Sequence, residues 1–308
     1  MGSSGGIVWP KRSEDLEKLV KDAISDEQRS RYDTDLNSYL QTVLADINSR
    51  DPDIVNTHLE TIKDALSKED EESITLLFGG SMKKHTYVDG LSDVDMLAII
   101  NKSALEGESP QRVIDYFAER MRERLPKTTI ETGDLAVTLK FSDGTEIQVL
   151  PALATKTGIR IADEKEWSNV IKPEKFAQKL TSVNQENGGR VVPIIKLHKV
   201  INSQLPENAR LKGYHIESLA INAFEDYKGP RSHKDMLLHF AEYASDSVLR
   251  PIEDSTGQSI HVDDKLGPAN SPKRQMASVS IKRIVTRMKS ADSEAQVDRW
   301  KQLMGDSE

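Results

Sequence analysis

The sequence has no cysteine and no long apolar run, and each absence excludes a class of protein. Without cysteine among its 308 residues, the chain has no disulfides, thiolate zinc sites or cysteine nucleophiles. No apolar run approaches the roughly 20 residues that cross a bilayer, so we expect no membrane partner. The opening segment, residues 1–6, lacks the basic and apolar regions of a signal peptide, and we therefore expect a cytoplasmic protein.

Basic residues are fewer than acidic residues. Lysine and arginine number 42 against 50 acidic residues, which gives a formal net charge of -8. A broad surface for duplex nucleic acid needs a basic stripe, so the composition argues against such a partner. Nucleotides stay compatible with this charge, because a deep site can be locally basic or can hold a cation.

The pattern that is present predicts a mixed α/β protein of about two domains. Helical spacing of apolar residues predicts helices over residues 13–50 and 53–68. Short apolar runs predict strands at Ile74–Phe78 and Met96–Ile100. Asp143-Gly144 predicts a hairpin between strands 135–141 and 146–150. Further helices are predicted at 110–125, 173–180, 191–202, 216–227 and 278–288, interrupted by a polar loop or flap at 253–273.

Two short motifs carry the chemistry. Gly79-Gly80-Ser81 closes the first strand, where glycine lets the backbone approach a phosphate and a helix start with a serine hydroxyl donates to its oxygens. Asp93 and Asp95 precede the second strand, and their spacing of two places both on one face. Because two such carboxylates repel each other, they favour a shared divalent cation with hard-oxygen chemistry, magnesium or manganese.

Together, Gly80-Ser81 and Ser92-Asp93-Val94-Asp95 resemble the signature of the polymerase-beta-like nucleotidyltransferase superfamily. The segment between them, residues 83–91, is similar to the bacterial relatives of cyclic GMP-AMP synthase and oligoadenylate synthase, the CD-NTases. Val149-Leu150-Pro151-Ala152 resembles the end of the family's third catalytic strand. Later segments around Trp167, Lys196 and Tyr214 look like its helical lobe, so the resemblance spans roughly residues 74–283.

The resemblance implies a bilobal fold in which a mixed-sheet catalytic core meets a helical lobe. We expect N-terminal helices over residues 1–70, the catalytic core over 71–160 and an oligoadenylate-synthase-like nucleotide-binding lobe over 161–308. It also implies two magnesium ions, with manganese as the alternative, which serve in-line nucleotidyl transfer. The substrates would be ATP and other NTPs.

The implied biological role is synthesis of a cyclic di- or trinucleotide in bacterial anti-phage (CBASS) signalling. Such a product would activate a separate effector protein, and a regulatory protein is a further partner compatible with the resemblance. Two other functions stay open at the level of sequence. One is transfer of a nucleotide onto RNA, a protein or a small molecule, and the other is a catalytically impaired nucleotide sensor.

One position departs from the family. The third metal-binding carboxylate usually lies three residues before the proline of the third strand, and here that position is Gln148. A glutamine carbonyl can ligate magnesium without adding charge. Glu146, two residues earlier, would face the same side and is the second candidate. The third possibility is that Asp93 and Asp95 suffice, with water and phosphate oxygens as the remaining ligands.

The helical lobe supplies the nucleotide-binding candidates. Lys196 and Lys199 lie one turn apart in an otherwise apolar helix and need partners, for which a triphosphate is suitable. By resemblance, Lys196 and Ser218 would contact donor phosphates, and Tyr214 is a candidate for stacking on a base. Lys273 and Arg274 are interpreted as solvated surface residues, with a nucleotide contact as the alternative.

Overall fold

The computed structural model describes residues 13–48, 52–67, 74–78, 84–88, 94–101, 104–163, 166–168, 170–252 and 263–306. In these ranges the chain forms nine α-helices and seven strands. The helices are α1 (Ser13–Asp46), α2 (Pro52–Leu66), α3 (Pro110–Arg124), α4 (Pro173–Glu186), α5 (Val191–Ser203), α6 (Gly213–Phe224), α7 (His233–Ser247), α8 (Pro272–Ser293) and α9 (Val297–Met304). The strands are β1 (Ile74–Phe78), β2 (Val94–Ile100), β3 (Thr129–Thr132), β4 (Val137–Lys140), β5 (Glu146–Ala154), β6 (Ile159–Asp163) and β7 (Glu166–Trp167).

The strands form one mixed sheet in the order β1-β2-β5-β4-β3. β1 is antiparallel to β2, β2 is parallel to β5, and β5, β4 and β3 follow one another antiparallel. The far end of β5 also pairs with β6, which in turn pairs with β7. The parallel pair at the centre places β2, which carries Asp95, beside β5, which carries Gln148.

Local sequence explains where several elements begin and turn. Ser109 caps α3 by accepting a hydrogen bond from the Arg112 amide, and Pro110 occupies the first helical position. Ser271 caps α8 in the same way, with Pro272 after it. In the hairpin between β4 and β5, Gly144 has a φ of 86°, a conformation that glycine adopts without steric cost.

Apolar side chains form two main cores. The sheet core packs α2 and α3 against β2, β4 and β5, and its fully buried members include Ile62, Phe117 and Val149. The helical core joins α1 to helices α4–α9, with Leu40, Phe224 and Trp300 fully buried. The two N-terminal helices therefore divide between the cores, since α1 packs on the helical core and α2 on the sheet core.

The predicted fold class, a mixed sheet with a helical lobe, is confirmed. The eleven predicted helices and strands that fall on described residues are all present, with ends shifted by a few residues. The structure adds elements that the pattern did not predict, namely β3, β6, β7, α7 and α9. Ser81, where a helix is predicted to begin, lies outside the described residues, and so do residues 253–262 of the predicted flap. The rest of that flap, 263–273, contains a 3-10 turn over Asp264–Leu266 and the first two residues of α8. Within the described part of the chain, no helix is long and apolar enough to span a membrane.

Candidate functional site

The centre of the candidate site is the parallel pairing of β2 with β5. The register places Asp95 opposite Gln148, one step after the pair Val94 and Ile147. On β5 the side chains of Ile147 and Val149 are fully buried in the sheet core, whereas Gln148 between them is half-buried. Gln148 therefore lies on the face of the sheet opposite the core. The register brings the predicted second and third metal-ligand positions side by side.

Glu146 lies at the start of β5, two residues before Gln148 and on the same face. Its carboxylate lies 3.6 Å from the Lys140 ammonium on the neighbouring strand β4. Lys140 also pairs with Glu131 at 2.9 Å, and this bond is the leading cause that raises the pKa of Lys140. Glu146 therefore belongs to a surface ion-pair cluster with Lys140 and Glu131, on the side of β5 away from β2.

Gly80, Ser81 and Asp93 lie outside the described residues, and Asp95 is described in its backbone alone. Their predicted roles stay predictions. Of the segment between the two motifs, the structure describes Lys84–Val88 and the contacts of these residues with the rest of the protein.

The Lys84–Val88 segment bridges the two cores. Tyr87 packs in the sheet core, while the next residue, Val88, is fully buried in the helical core. His85, at the turn that opens the segment, has a positive φ of 56°. In sequence, the segment lies between Ser81 and Asp93.

A buried charged cluster fastens this segment to α6. Glu217 on α6 is 1% exposed, and its carboxylate accepts a hydrogen bond of 2.5 Å from the Thr86 hydroxyl and one from the Lys84 ammonium. Lys199 on α5 donates to the same carboxylate at 3.0 Å and to the Thr86 carbonyl at 2.9 Å. One buried carboxylate thus joins the inter-motif segment to two helices of the lobe.

Opposite charges decide the ionisation of Glu217. Burial by itself raises the pKa of this carboxyl, but the ammonium groups of Lys84 and Lys199 and their hydrogen bonds outweigh burial and hold the pKa below its usual value. Two lysines and one glutamate leave one formal positive charge in the cluster. A charged cluster removed from water is stable only as a complete set, because each member compensates another.

Lys84 also lies against aromatic rings. Its ammonium is 4.9 Å from the ring centroid of Phe176 on α4 and 5.4 Å from that of Tyr214 on α6. The two rings contact each other with centroids 4.5 Å apart. Tyr214 is 39% exposed, so one part of its ring packs on Phe176 and another part is accessible.

The other two predicted phosphate contacts have partners within the protein. The Lys196 ammonium donates to the side-chain carbonyl of Asn48, just after α1, and burial and then the nearby Lys199 charge lower its pKa. Ser218 is 1% exposed and donates its hydroxyl to the Tyr214 carbonyl at 2.8 Å, one turn earlier in α6. The assignments of Lys196, Tyr214 and Ser218 to nucleotide binding stay predictions.

Sequence reasoning missed the role of Glu217 and Thr86. The available signal was an acidic residue at position 217 within an apolar helix, together with Lys199 in another. Lys199 needs a partner in its apolar helix, for which a triphosphate is suitable from sequence, and in the structure that partner is the Glu217 carboxylate. Arg274 was interpreted as a surface residue and this was wrong, because it is fully buried and paired with Asp263.

The donor groups at the β2–β5 pair fit a magnesium ion by their chemistry. A carboxylate at position 95 and an amide carbonyl at position 148 are hard-oxygen ligands, and the register makes them neighbours. Gln148 is half-buried on that face. The amide supplies no negative charge, so the site carries less charge than one built from three carboxylates.

Comparisons with known proteins give one matching family and a set of solved structures with a similar fold. Residues 34–184 match the family described as Second Messenger Oligonucleotide or Dinucleotide Synthetase domain. A comparison of the sequence with curated proteins gives no match.

Solved structures resemble the chain over most of its length. They include the CD-NTase CdnG of Bradyrhizobium diazoefficiens in complex with GTP, with a TM-score of 0.66, 14% identity and coverage of 88% of this chain and 98% of that one. The CdnC:HORMA-deltaN complex of E. coli MS115-1 gives a TM-score of 0.61 with 16% identity, over 91% of this chain and 96% of the other. The DncV cyclic AMP-GMP synthase of Vibrio cholerae gives 0.58 with 13% identity, over 94% and 90%.

The mixed sheet and the helical lobe match the polymerase-beta-like nucleotidyltransferase fold. Residues 34–184 are similar to the Second Messenger Oligonucleotide or Dinucleotide Synthetase domain, and the fold of the chain is that of the CD-NTases. The resemblance to bacterial CD-NTases is therefore confirmed.

Proposed function

We propose that this protein is an active nucleotidyltransferase that makes a cyclic di- or trinucleotide second messenger from NTPs in bacterial anti-phage (CBASS) signalling. The observation that carries the proposal is the register of Asp95 against Gln148, on the half-buried face of a sheet that adjoins a helical lobe. The family assignment supports the same chemistry, since its description names oligonucleotide and dinucleotide synthesis.

In the proposed reaction a ribose hydroxyl of one nucleotide attacks the α-phosphorus of a second. One phosphodiester bond forms, the bond to the β-phosphate breaks, and pyrophosphate leaves while the hydroxyl proton passes to solvent. A later transfer within the linear oligonucleotide closes the ring. Ring closure releases a second pyrophosphate for a dinucleotide, and the third for a trinucleotide. Such transfer depends on positioning and charge neutralisation, and it needs no strong base from the protein.

In this proposal Asp93, Asp95 and Gln148 hold magnesium, and Gly80 and Ser81 bind the donor phosphates. When bound, magnesium neutralises phosphate charge and favours ionisation of the attacking hydroxyl. The Glu217 cluster holds Lys84–Val88, the described part of the segment between the two motifs, against the helical lobe. Tyr214, which is 39% exposed, supplies a surface for a base, and Lys196 contributes positive charge on α5.

We also propose the division of the chain at about residues 70 and 160. The sheet core is built from residues between 55 and 153, whereas the helical core takes most of its residues from 176 onward. The N-terminal helices support both parts, and nucleotides would bind between the two.

The partners follow from this function. NTPs are the substrates, and a separate effector receives the product. A regulatory protein is a reasonable further partner, because the E. coli relative CdnC was solved as a complex with HORMA-deltaN. The composition gives no support to a duplex nucleic-acid partner.

One observation favours a second function. Gln148 stands where a carboxylate is usual, and a site with less negative charge binds magnesium more weakly. A nucleotide sensor without turnover would be compatible with that change. The two functions differ in whether pyrophosphate and a new phosphodiester appear.

The experiment that separates them uses the purified protein with labelled ATP, GTP, CTP and UTP, and magnesium or manganese in parallel. After phosphatase treatment, a cyclic product keeps its label in the resistant fraction because it has no terminal phosphate. We expect such a product. Nucleotide binding without any resistant product under every metal condition would instead identify a sensor.

The third ligand can be assigned by substitution on β5. We expect Gln148→Ala to lower product formation roughly ten- to hundredfold, the range typical of lost support for a metal site. Gln148→Asp should keep activity and lower the magnesium concentration needed for half-maximal rate, because it restores a negative charge. The readout is initial rate against magnesium concentration.

Glu146→Ala should change the rate by less than about twofold, the same as Glu131→Ala, which removes the other carboxylate that pairs with Lys140. Glu131 is the matched control because it shares that lysine but lies on β3, far from β2 in the strand order. A large loss in Glu146→Ala with little effect of Gln148→Ala would assign the ligand to Glu146 instead.

A further inference from the structure

A cavity of about 570 Å³ lies where the residues before α6 meet the start of α8. Four of the side chains that line it are basic and exposed: Arg210, Lys212, Lys265 and Lys273. Its volume is within the range of pockets that hold small-molecule ligands. None of the residues assigned to nucleotidyl transfer lines it, although His215, on its wall, directly follows Tyr214.

The positive charge of this cavity is uncompensated among the described residues. No carboxylate in those ranges forms an ion pair with any of the four basic side chains. The acidic residue on the wall, Asp263, is fully buried and pairs with the fully buried Arg274 at 2.5 Å. It also accepts a hydrogen bond of 2.9 Å from the Ile252 amide. Its charge is therefore already neutralised within the protein.

Two of the basic side chains are held in place and keep donors to spare. Arg210 donates from Nε to the Leu205 carbonyl at 2.7 Å, which leaves its terminal guanidinium donors. Lys273 donates to the Lys265 carbonyl at 3.2 Å, which leaves two of its three protons. Oriented guanidinium and ammonium donors of this kind form strong, charge-assisted hydrogen bonds with phosphate oxygens.

The cavity also has an apolar side. Leu266, Pro272 and Met276 line it, and Met276 is 43% exposed, unusual for a side chain of its type. A thioether adapts its shape and packs well on flat aromatic rings. Cations beside an accessible apolar surface match a ligand that has both phosphates and a flat base, which neither inorganic phosphate nor a simple organic acid has.

We propose that this cavity binds a nucleoside polyphosphate at a second site, independent of magnesium and of Asp93 and Asp95. The phosphates bind to Arg210, Lys212, Lys265 and Lys273, and the base packs on Leu266 and Met276. Because binding here rests on side-chain cations, it persists when divalent ions are removed and weakens as salt rises.

The test is equilibrium binding of ATP to the full chain in EDTA, measured by calorimetry. We expect saturable binding at one site, unchanged in Asp93→Ala with Asp95→Ala. Lys212→Ala with Lys273→Ala should weaken it about tenfold or more, since two charge-assisted contacts are lost. The matched control is Arg283→Ala with Arg287→Ala, which removes two exposed cations from the same helix α8 and should leave affinity within about twofold.

Two additions keep the test decisive. Lys212→Arg with Lys273→Arg preserves the charges and should bind ATP like the parent, which separates lost contacts from lost folding. Tripolyphosphate in place of ATP should bind more weakly, because it lacks the base. Absence of saturable binding in EDTA, equal affinity in Lys212→Ala with Lys273→Ala, or equal affinity for tripolyphosphate would each overturn the proposal. Product formation with magnesium is a separate readout, so failure here leaves the proposed enzyme activity untouched.

Discussion

Replacing Asp93 and Asp95 together by alanine is expected to lower product formation by roughly a thousandfold or more. Metal-held charge stabilisation in such reactions contributes several kcal/mol to the transition state, and about 4 kcal/mol corresponds to three powers of ten in rate. Asp95 occupies a central strand in register with Gln148, so its loss removes a ligand at the middle of the proposed site. The measurement is the initial rate of label entering the phosphatase-resistant fraction.

The control removes the same charge from elsewhere. Glu119→Ala with Glu123→Ala takes two exposed carboxylates from α3 and should leave the rate within about twofold. Thermal unfolding of both double variants shows whether the fold is retained. If Asp93→Ala with Asp95→Ala stays within tenfold of the parent rate, the site assignment is wrong.

The second large effect is expected from Glu217→Ala. Removing this carboxylate leaves the ammonium groups of Lys84 and Lys199 buried without their counter-charge. Breaking a buried ion pair in this way costs about 3–5 kcal/mol of unfolding free energy. Because the lost contacts also hold Lys84–Val88, we expect product formation to fall in the folded protein as well. Urea unfolding measures the free energy of unfolding directly.

Glu225→Ala is the matched control for that loss. Glu225 lies just after the end of α6 and pairs with Lys179, but both side chains are about a third to a half exposed. Surface pairs of this kind contribute about 0–1 kcal/mol. A destabilisation in Glu217→Ala no larger than that of Glu225→Ala would contradict the description of the cluster as a buried anchor.

The same cluster predicts a pH dependence. The pKa of Glu217 is held below its usual value in the folded protein, so the unfolded chain binds a proton more readily there. Its contribution to stability is fully present above the unfolded pKa of about 4.3 and is lost as the pH falls through the folded pKa. The difference in unfolding free energy between the parent and Glu217→Gln should therefore shrink below about pH 4. A difference that grows on acidification would contradict this sign.

Local patterns predicted most of the fold because they depend on neighbouring residues. A short apolar run bounded by turn residues was enough for β1, an Asp-Gly turn was enough for the β4–β5 hairpin, and helical spacing was enough for α3 and α5. The strands β3, β6 and β7 were not predicted because segments of four, five and two residues are too short to give a clear periodic signal. They form by pairing with a neighbouring strand, β3 with β4, β6 with β5 and β7 with β6, and local sequence does not show these neighbours.

The candidate site could likewise be predicted only in part. The spacing of Asp93 and Asp95 and the position of Gln148 can be read along the chain, but their register across two strands required the structure. The partners of Lys199 could not be predicted, because Thr86 and Glu217 lie 113 and 18 residues away in sequence. Arg274 was misread for the same reason, since its buried partner Asp263 belongs to a polar stretch that resembles exposed loop.

The mass of the released product tests the central claim most directly. The parent protein is incubated with NTPs and magnesium, and small molecules are separated and analysed by mass spectrometry. A cyclic di- or trinucleotide is expected, with one phosphate per nucleotide and no terminal phosphate, and it should be absent from Asp93→Ala with Asp95→Ala. Nucleotide found only on RNA or protein, or NTPs recovered unchanged under every metal condition, would contradict the proposed synthesis.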